Sequence, residues 1–161
     1  MALDPDVRQI LAAGAGAPPL ESLTTEQARS GVRGLVALQG EPEPLAEVRD
    51  VAATGEAGPV RVRLYRPAEA PSPAPVLLWA HGGGWIRGNL ETWDAPLSVL
   101  ARQTAAVVAS VDYRLAPETR FPGPLHDLLA ALRHLAEHAA DLGLDPERIA
   151  VGGDSSGGNL A

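Results

Sequence analysis

The spacing of apolar residues is helical in residues 1–40 of the chain. Asp4–Pro5 is typical of a helix start, and Thr24 or Thr25 predicts the start of a second helix after a stretch broken by glycines and prolines. The Pro/Glu-rich residues Glu41–Pro44 then interrupt the pattern. We therefore expect a helical segment that ends near residue 44.

From residue 45 the spacing changes to two, which is typical of strands with one buried face. Val48 and Val51 predict a first strand, and the apolar residues of Val60–Tyr65 predict a second one. Gly55–Pro59 between them has the residue types of a turn. This part of the sequence predicts an antiparallel hairpin.

Three short, continuous apolar runs follow, as expected for strands that are buried on both faces. The runs are Val76–Ala80, Ala106–Val111 and Ile149–Val151. Helical spacing over residues 97–104 and 125–139 separates them, and Asp145–Glu147 predicts a turn before the last run. Alternating strands and helices imply right-handed crossovers. We predict an α/β fold whose sheet is mostly parallel, with the antiparallel hairpin at its N-terminal side.

Composition narrows the function. The chain has 161 residues, of which 45% are hydrophobic, so it can form one globular domain. Its formal net charge is −7, which makes nucleic acid a poor partner. All 13 cationic side chains are arginines, so lysine-dependent chemistry such as a Schiff base, a P-loop or a Ser–Lys pair is excluded. There is no cysteine, hence no disulfide and no thiolate metal site.

The N-terminal residues and the apolar runs bear on location. The first ten residues contain two acids and a proline where a secretory signal would be basic and then apolar. No apolar run is long enough to span a bilayer. We expect a cytoplasmic protein without a membrane span.

A first glycine-rich loop, His81–Trp85, follows the first buried run. The edge of an α/β sheet where parallel strands end is where such folds bind ligands. Three successive glycines allow the backbone to approach a bound group and leave N–H groups free to stabilise an oxyanion. On its own the loop is equally consistent with a flexible turn.

A second loop, Gly153–Gly157, follows the last buried run and has the pattern Gly-x-Ser-x-Gly. The order of strand, motif and helix is the one that a nucleophile elbow requires, with Ser155 raised above the sheet. The backbone N–H of Ser156 then lies beside the nucleophile and can serve the oxyanion hole. A Cβ at Gly153 or Gly157 would collide with the neighbouring strand and helix.

Together, HGGGW at 81–85, DYRLAPE at 112–118 and GDSSGGNLA at 153–161 resemble the bacterial hormone-sensitive lipase family of α/β-hydrolase carboxylesterases. The resemblance implies the α/β-hydrolase fold, with residues 1–44 as a helical cap segment and 45–161 as the N-terminal part of the hydrolase domain. It implies hydrolysis of short- to medium-chain esters, small-molecule substrates and no cofactor. It also allows a homodimer, because family members are often dimeric.

The resemblance implies site residues as well. Ser155 is the expected nucleophile, and the N–H groups of Gly83, Gly84 and Ser156 are the expected oxyanion hole. His81 and Gly82 are expected to support the oxyanion loop.

Two positions depart from the family pattern. Ser156 stands where the family usually has alanine, a change that we expect to leave the backbone donor in place. Trp93 replaces a smaller residue or histidine and is expected to alter the pocket.

Other polar residues have structural interpretations. We expect Arg114 and Glu118 to form an ion pair that fixes the DYRLAPE loop. His134 and His138 have a spacing that can bind a metal, but a solvated helix surface is the favoured interpretation. All four histidines precede Ser155, whereas the triad order of this fold is serine, acid, histidine, so none is expected to be the base.

The order of the triad predicts that its acid and base lie beyond Ala161. We therefore expect residues 1–161 to be the N-terminal part of a longer esterase, truncated after the nucleophile elbow and inactive alone, with Ile149–Val151 as a central strand of the complete sheet. Two alternatives stay open from the sequence: a non-catalytic small-molecule binding module with the same fold, and an inactive truncated product.

Overall fold

Five strands form one mixed sheet in a computed structural model that describes residues 3–161. The strands are β1 (Glu47–Gly55), β2 (Gly58–Arg66), β3 (Ala74–Ala80), β4 (Val107–Val111) and β5 (Leu144–Gly153). They lie in the order β1-β2-β4-β3-β5. β3 is parallel to β4 and β5, whereas β2 is antiparallel to β1 and β4. The predicted hairpin and the predicted parallel strands are confirmed.

Helices cover the chain before, between and after the strands. The helices are α1 (Pro5–Gly14), α2 (Thr25–Leu35), α3 (Asp94–Thr104), α4 (Gly123–Glu137), α5 (Ala139–Leu142) and α6 (Ser156–Leu160). Three short 3-10 helices lie at Leu20–Ser22, Val36–Leu38 and Glu91–Trp93. Among the helices of residues 3–161, none is both long and apolar enough to cross a membrane.

The predicted starts of the first two helices are confirmed. The Asp4 side chain accepts a hydrogen bond from the backbone N–H of Asp6, the second residue of α1. Thr24 and Gln27 form a reciprocal capping box at the start of α2. The division between a cap segment at 1–44 and a hydrolase domain at 45–161 stays a prediction.

The core has two layers because helices pack on both faces of the sheet. β4 is buried at every residue, as its continuous apolar run predicts. On one face Val107, Ala109 and Val111 pack with side chains from α4, and on the other Val108 packs with Leu97 of α3. The buried face of α4 contains Leu128, Ala131 and Leu135, whereas Leu129 is exposed.

The last strand is less buried than its apolar run predicts. It pairs with β3 alone among the described strands, and Val151 is 39% exposed. Its central place in a complete sheet stays a prediction. The predicted turn at Asp145–Glu147 is an irregularity inside β5. Leu144 already pairs with Ala74, while the Asp145 carboxylate accepts the Glu147 N–H and shifts the register.

Candidate active site

The two glycine-rich loops lie side by side because their strands are neighbours. β3 and β5 are parallel and paired, with Ala80 opposite Gly153 at their carboxyl ends. The loop after β3 begins at His81 and the loop after β5 contains Ser155. The topology therefore brings the predicted nucleophile and the predicted oxyanion loop to one edge of the sheet.

Ser155 has the strained backbone of a sharp strand-to-helix turn. Its φ is 50° and its ψ is −118°, a left-handed region that costs a non-glycine residue free energy. The side chain is exposed, and it makes no capping hydrogen bond to α6. The hydroxyl is therefore free to face a substrate.

The two motif glycines are sterically required. A Cβ at Gly153 would meet the carbonyl oxygen of Ala80 and the backbone of Gly157. A Cβ at Gly157 would overlap the Ala80 carbonyl and contact that of His81. The elbow thus packs backbone against backbone on the end of β3, as the motif predicts.

The predicted oxyanion loop, His81–Trp85, also has a backbone that favours glycine. Gly83 has a φ of 128° and Gly84 a φ of 66°, and Trp85 follows with 60°. A Cβ at Gly83 would overlap the Arg87 carbonyl, while the amides of Ile86 and Arg87 both donate to the Gly83 carbonyl. The loop is a tight turn, not a flexible one.

Asp154 joins the two loops, a role that sequence analysis missed. Its carboxylate accepts the Gly82 N–H at 2.8 Å, and a Cβ at Gly82 would overlap the same carboxylate. The variable second position of the serine motif therefore fixes the start of the oxyanion loop. The supporting role of Gly82 stays a prediction, and its lack of a side chain is what leaves room for the Asp154 carboxylate.

The Ser156 hydroxyl makes a second connection between the loops. It is buried, and it accepts hydrogen bonds from the N–H of Gly84 at 2.9 Å and of Trp85 at 3.3 Å. The expectation that serine at this position leaves the Ser156 backbone donor in place stays a prediction. The N–H of Gly84, another expected oxyanion donor, is donated to the Ser156 side chain.

His81 lies beneath the loop and is fully buried. Its Nδ1 is 2.8 Å from the Gly82 carbonyl, which can only accept, so Nδ1 carries the proton. Tyr113 stacks on the imidazole at 4.4 Å between ring centres and donates its hydroxyl to the His81 carbonyl at 2.6 Å. Burial lowers the pKa of His81, so the ring is neutral. This geometry fits the predicted supporting role.

The predicted ion pair between Arg114 and Glu118 is wrong. Arg114 instead pairs with Asp127 of α4, with 2.7 Å between Nη2 and Oδ1. Asp127 is 2% exposed and also accepts the backbone N–H of Arg114. In the sequence, the signal for this pair is an acidic residue directly before Leu128 in a predicted helix. A carboxylate that becomes buried there needs a cationic partner.

Glu118 pairs with Arg29 of α2. The guanidinium of Arg29 donates to both carboxylate oxygens, at 2.9 and 2.7 Å. It also donates to the carbonyls of Ile86 and Ala116. One side chain of the N-terminal helices thus contacts the oxyanion loop and the DYRLAPE loop together.

An apolar groove lies beside the elbow. It is lined by Trp85, Ala116, Thr119, Phe121, Pro124, Asn159 and Leu160. The side chain of Trp93 is not in this lining but packs against the core residues around Leu97 and Val108. Its expected effect on the pocket stays a prediction.

The remaining histidines lie around α4. His126 is 3.2 Å from Glu56, and His134 stacks on His138 at 4.3 Å between ring centres. Burial, followed by the charge of His138, lowers the pKa of His134. Across residues 3–161 there is no group of three His, Cys, Asp or Glu side chains that could hold a metal ion.

The alpha/beta hydrolase fold family matches residues 77–161. The carboxylesterase NlhH of Mycobacterium tuberculosis is 47% identical over 120 residues, which is 74% of this chain and 37% of that protein. An arylesterase of Saccharolobus solfataricus is 36% identical over 162 residues, 99% of this chain and 53% of that one. The structure of a Pyrobaculum calidifontis esterase superposes with a TM-score of 0.87 at 38% identity, covering 99% of this chain and 51% of its own. The chain thus spans about half the length of these relatives or less, and it belongs to the alpha/beta hydrolase fold family.

Proposed function

We propose that the protein is a serine carboxylesterase of the hormone-sensitive lipase type that hydrolyses short- to medium-chain esters through an acyl-enzyme on Ser155. The observation that carries the proposal is the strained, exposed Ser155 beside the turn of Gly83 and Gly84. The fold tolerates this strain only with glycines at both ends of the motif, as is typical of functional sites.

The chemistry follows from this arrangement. The Ser155 Oγ bonds to the ester carbonyl carbon while a base takes the hydroxyl proton. The carbonyl oxygen becomes an oxyanion, which we expect the N–H groups of Ser156 and Gly83 to stabilise, with Gly84 as a further donor. The carbon–alkoxy bond then breaks, and the alcohol leaves with the proton. Water repeats the sequence and releases the acid.

The base must come from outside the histidines described above. His81 is buried beneath the loop, His126 pairs with Glu56, and His134 and His138 stack on α4. About half or more of each named relative has no counterpart in residues 1–161. We expect the acid and the base in the corresponding part of the complete gene product.

The groove supports an ester with apolar groups. Trp85, Phe121 and Leu160 provide its apolar surface. Trp85 belongs to the first loop, and Leu160 lies in α6 directly after the second. Similar proteins bear the names ethyl acetate hydrolase and acetyl esterase, which supports small acyl groups. The homodimer and the cytoplasmic location stay predictions.

The test uses the complete gene product. We expect it to hydrolyse p-nitrophenyl butyrate and to react with a fluorophosphonate, with the label on Ser155 in the tryptic peptide that begins at Ile149, after Arg148. Ser155→Ala should abolish both reactions. Ser30→Ala, which removes an exposed hydroxyl that contacts Glu26 and Arg33, should change neither.

Retention of near wild-type hydrolysis in Ser155→Ala would exclude Ser155 as the nucleophile. A complete gene product that binds ester analogues but turns none over would favour the non-catalytic binding module. Hydrolysis by a chain of residues 1–161 alone would refute the need for a base from elsewhere.

A further inference from the structure

We propose that Ser156 is a positioning residue whose hydroxyl accepts the Gly84 N–H in the resting enzyme. This hydrogen bond is exchanged for one to the oxyanion only in the transition state. The inference rests on the proposed esterase function. It assigns to the Ser156 side chain a role distinct from that of its backbone N–H.

Two loop amides converge on the Ser156 side chain. The N–H groups of Gly84 and Trp85 both donate to one oxygen atom, Ser156 Oγ, at 2.9 and 3.3 Å. Two adjacent loop amides that meet at one oxygen are the arrangement that an oxyanion hole offers to a substrate. Here the oxygen belongs to the protein.

The second observation is burial. Ser156 is 5% exposed, so water has little access to replace the hydroxyl as the acceptor. A backbone N–H carries one proton and makes one strong hydrogen bond at a time. While Gly84 donates to Ser156, a neutral substrate carbonyl gains little from the same donor.

The developing charge changes this balance. A charged acceptor makes hydrogen bonds about twice as strong as a neutral one, so the oxyanion competes for the Gly84 N–H where the carbonyl does not. The bond to Ser156 must then lengthen or break. Its loss is a cost that enters the transition state and not the bound ground state, and so it lowers kcat without changing KM.

Ser156→Ala tests the exchange because it removes the competing acceptor and keeps the backbone N–H. We expect kcat for p-nitrophenyl butyrate to rise about 3- to 10-fold, the range expected for one net hydrogen bond, with KM within about twofold. Ser156→Cys, whose sulfur is a weaker acceptor, should give an intermediate kcat. Ser110→Ala is the matched control, because it removes a buried hydroxyl that has no hydrogen-bond partner among the described residues.

A second measurement does not depend on turnover. In a Ser155→Ala background, amide hydrogen exchange at Gly84 and Trp85 should become about tenfold faster when Ser156→Ala is added, and Ser110→Ala should leave it unchanged. This reads the resting hydrogen bond directly.

The outcomes separate this inference from the function on which it rests. An unchanged or lower kcat in Ser156→Ala, with Ser155→Ala inactive, overturns the inference and leaves the esterase proposal intact. Unchanged amide exchange overturns it as well. An inactive wild-type protein refutes the function, and the exchange measurement then still decides whether Ser156 holds the loop. If Ser156→Ala does not fold, the kcat of Ser156→Cys relative to wild type decides by the same criterion.

Discussion

Arg29 and Glu118 lie 89 residues apart in the sequence and form a two-pronged ion pair, with guanidinium-to-carboxylate distances of 2.9 and 2.7 Å. The same guanidinium donates to the Ile86 and Ala116 carbonyls, at 2.9 and 3.0 Å. Helix α2 is thereby attached to both loops that flank the candidate site. A planar donor set of this kind holds orientation as well as distance.

Replacing Arg29 should release α2 from the loops. We expect Arg29→Ala to lower the free energy of docking of α2 by about 1–2 kcal/mol, after allowance for a partly exposed pair. Amide exchange across residues 25–35 should become faster than in wild type. Arg29→Lys keeps the charge but cannot donate to four acceptors in one plane. Its amide exchange across residues 25–35 should therefore be faster than in wild type and slower than in Arg29→Ala. Equal exchange in all three proteins would show that Arg29 does not hold the helix.

The same pair predicts an acid-dependent weakening. The hydrogen bond from Arg29 lowers the pKa of Glu118 from 4.5 to about 2. A carboxylate with a lowered pKa stabilises the folded state above about pH 4.5, and this contribution is lost as the pH falls towards 2. The difference in unfolding free energy between wild type and Glu118→Gln should therefore shrink between pH 5 and 2. A constant difference across that window would contradict the assignment.

The buried pair of Arg114 and Asp127 predicts a larger effect on stability. Asp127 is 2% exposed, so removal of Arg114 leaves a carboxylate without its cation. We expect Arg114→Ala to cost about 2–4 kcal/mol in denaturant unfolding, since the Arg114 side chain is itself 37% exposed. Adding Asp127→Ala should recover part of the loss, because no buried charge then remains. Additive losses in this double-mutant cycle would show that the two side chains act independently.

The contrast between these pairs and the motifs shows what the sequence could predict. The hairpin, the parallel strands and the two glycine loops were predictable because periodicity and backbone sterics are local properties. A Cβ at Gly153 or Gly157 would collide with the end of β3, and that requirement is visible in the residue types alone. The partners of Arg114 and Glu118 were not, because charge complementarity does not say which of many acids lies near a given arginine.

Ser156 and β5 show two further limits. The sequence indicates where the Ser156 backbone N–H lies but not where the hydroxyl points, and the hydroxyl takes the Gly84 donor. The apolar run at Ile149–Val151 predicts a strand, but the burial of a strand depends on how many neighbours pair with it. β5 pairs only with β3 in the part of the chain that the structure describes.

The buried imidazole of His81 predicts that the unfolding free energy depends on pH near neutrality. Burial lowers its pKa below 6.5, so the unfolded chain binds a proton that the folded state rejects. The unfolding free energy is then unaffected by His81 above pH 6.5. It falls as the pH drops below that value, by up to about 1.4 kcal/mol per pH unit. Unfolding free energies at pH 7.5 and 5.5 should differ less in His81→Asn than in wild type. His134→Asn is the control, since burial also lowers the pKa of His134 and its share must be subtracted.

Alanine substitutions at two glycines of the candidate site should distinguish the cost of backbone strain from the cost of a steric collision. Gly84 has a φ of 66°, but a Cβ there would meet nothing within 4 Å. Alanine at this position therefore pays only for the left-handed backbone, about 1–2 kcal/mol. Gly157 is helical, and a Cβ there would overlap the Ala80 carbonyl at the end of β3. The substitution must move α6 or the strand, which we expect to cost about 3 kcal/mol.

Chemical denaturation of Gly84→Ala and Gly157→Ala, side by side, measures this difference. Fluorophosphonate labelling adds a second readout, since Gly157→Ala displaces Ser155 itself and should react far more slowly than Gly84→Ala. If Gly84→Ala were the less stable of the two, the left-handed turn of the oxyanion loop would be the tighter constraint. The backbone contact between the elbow and β3 would then not be what fixes the position of Ser155.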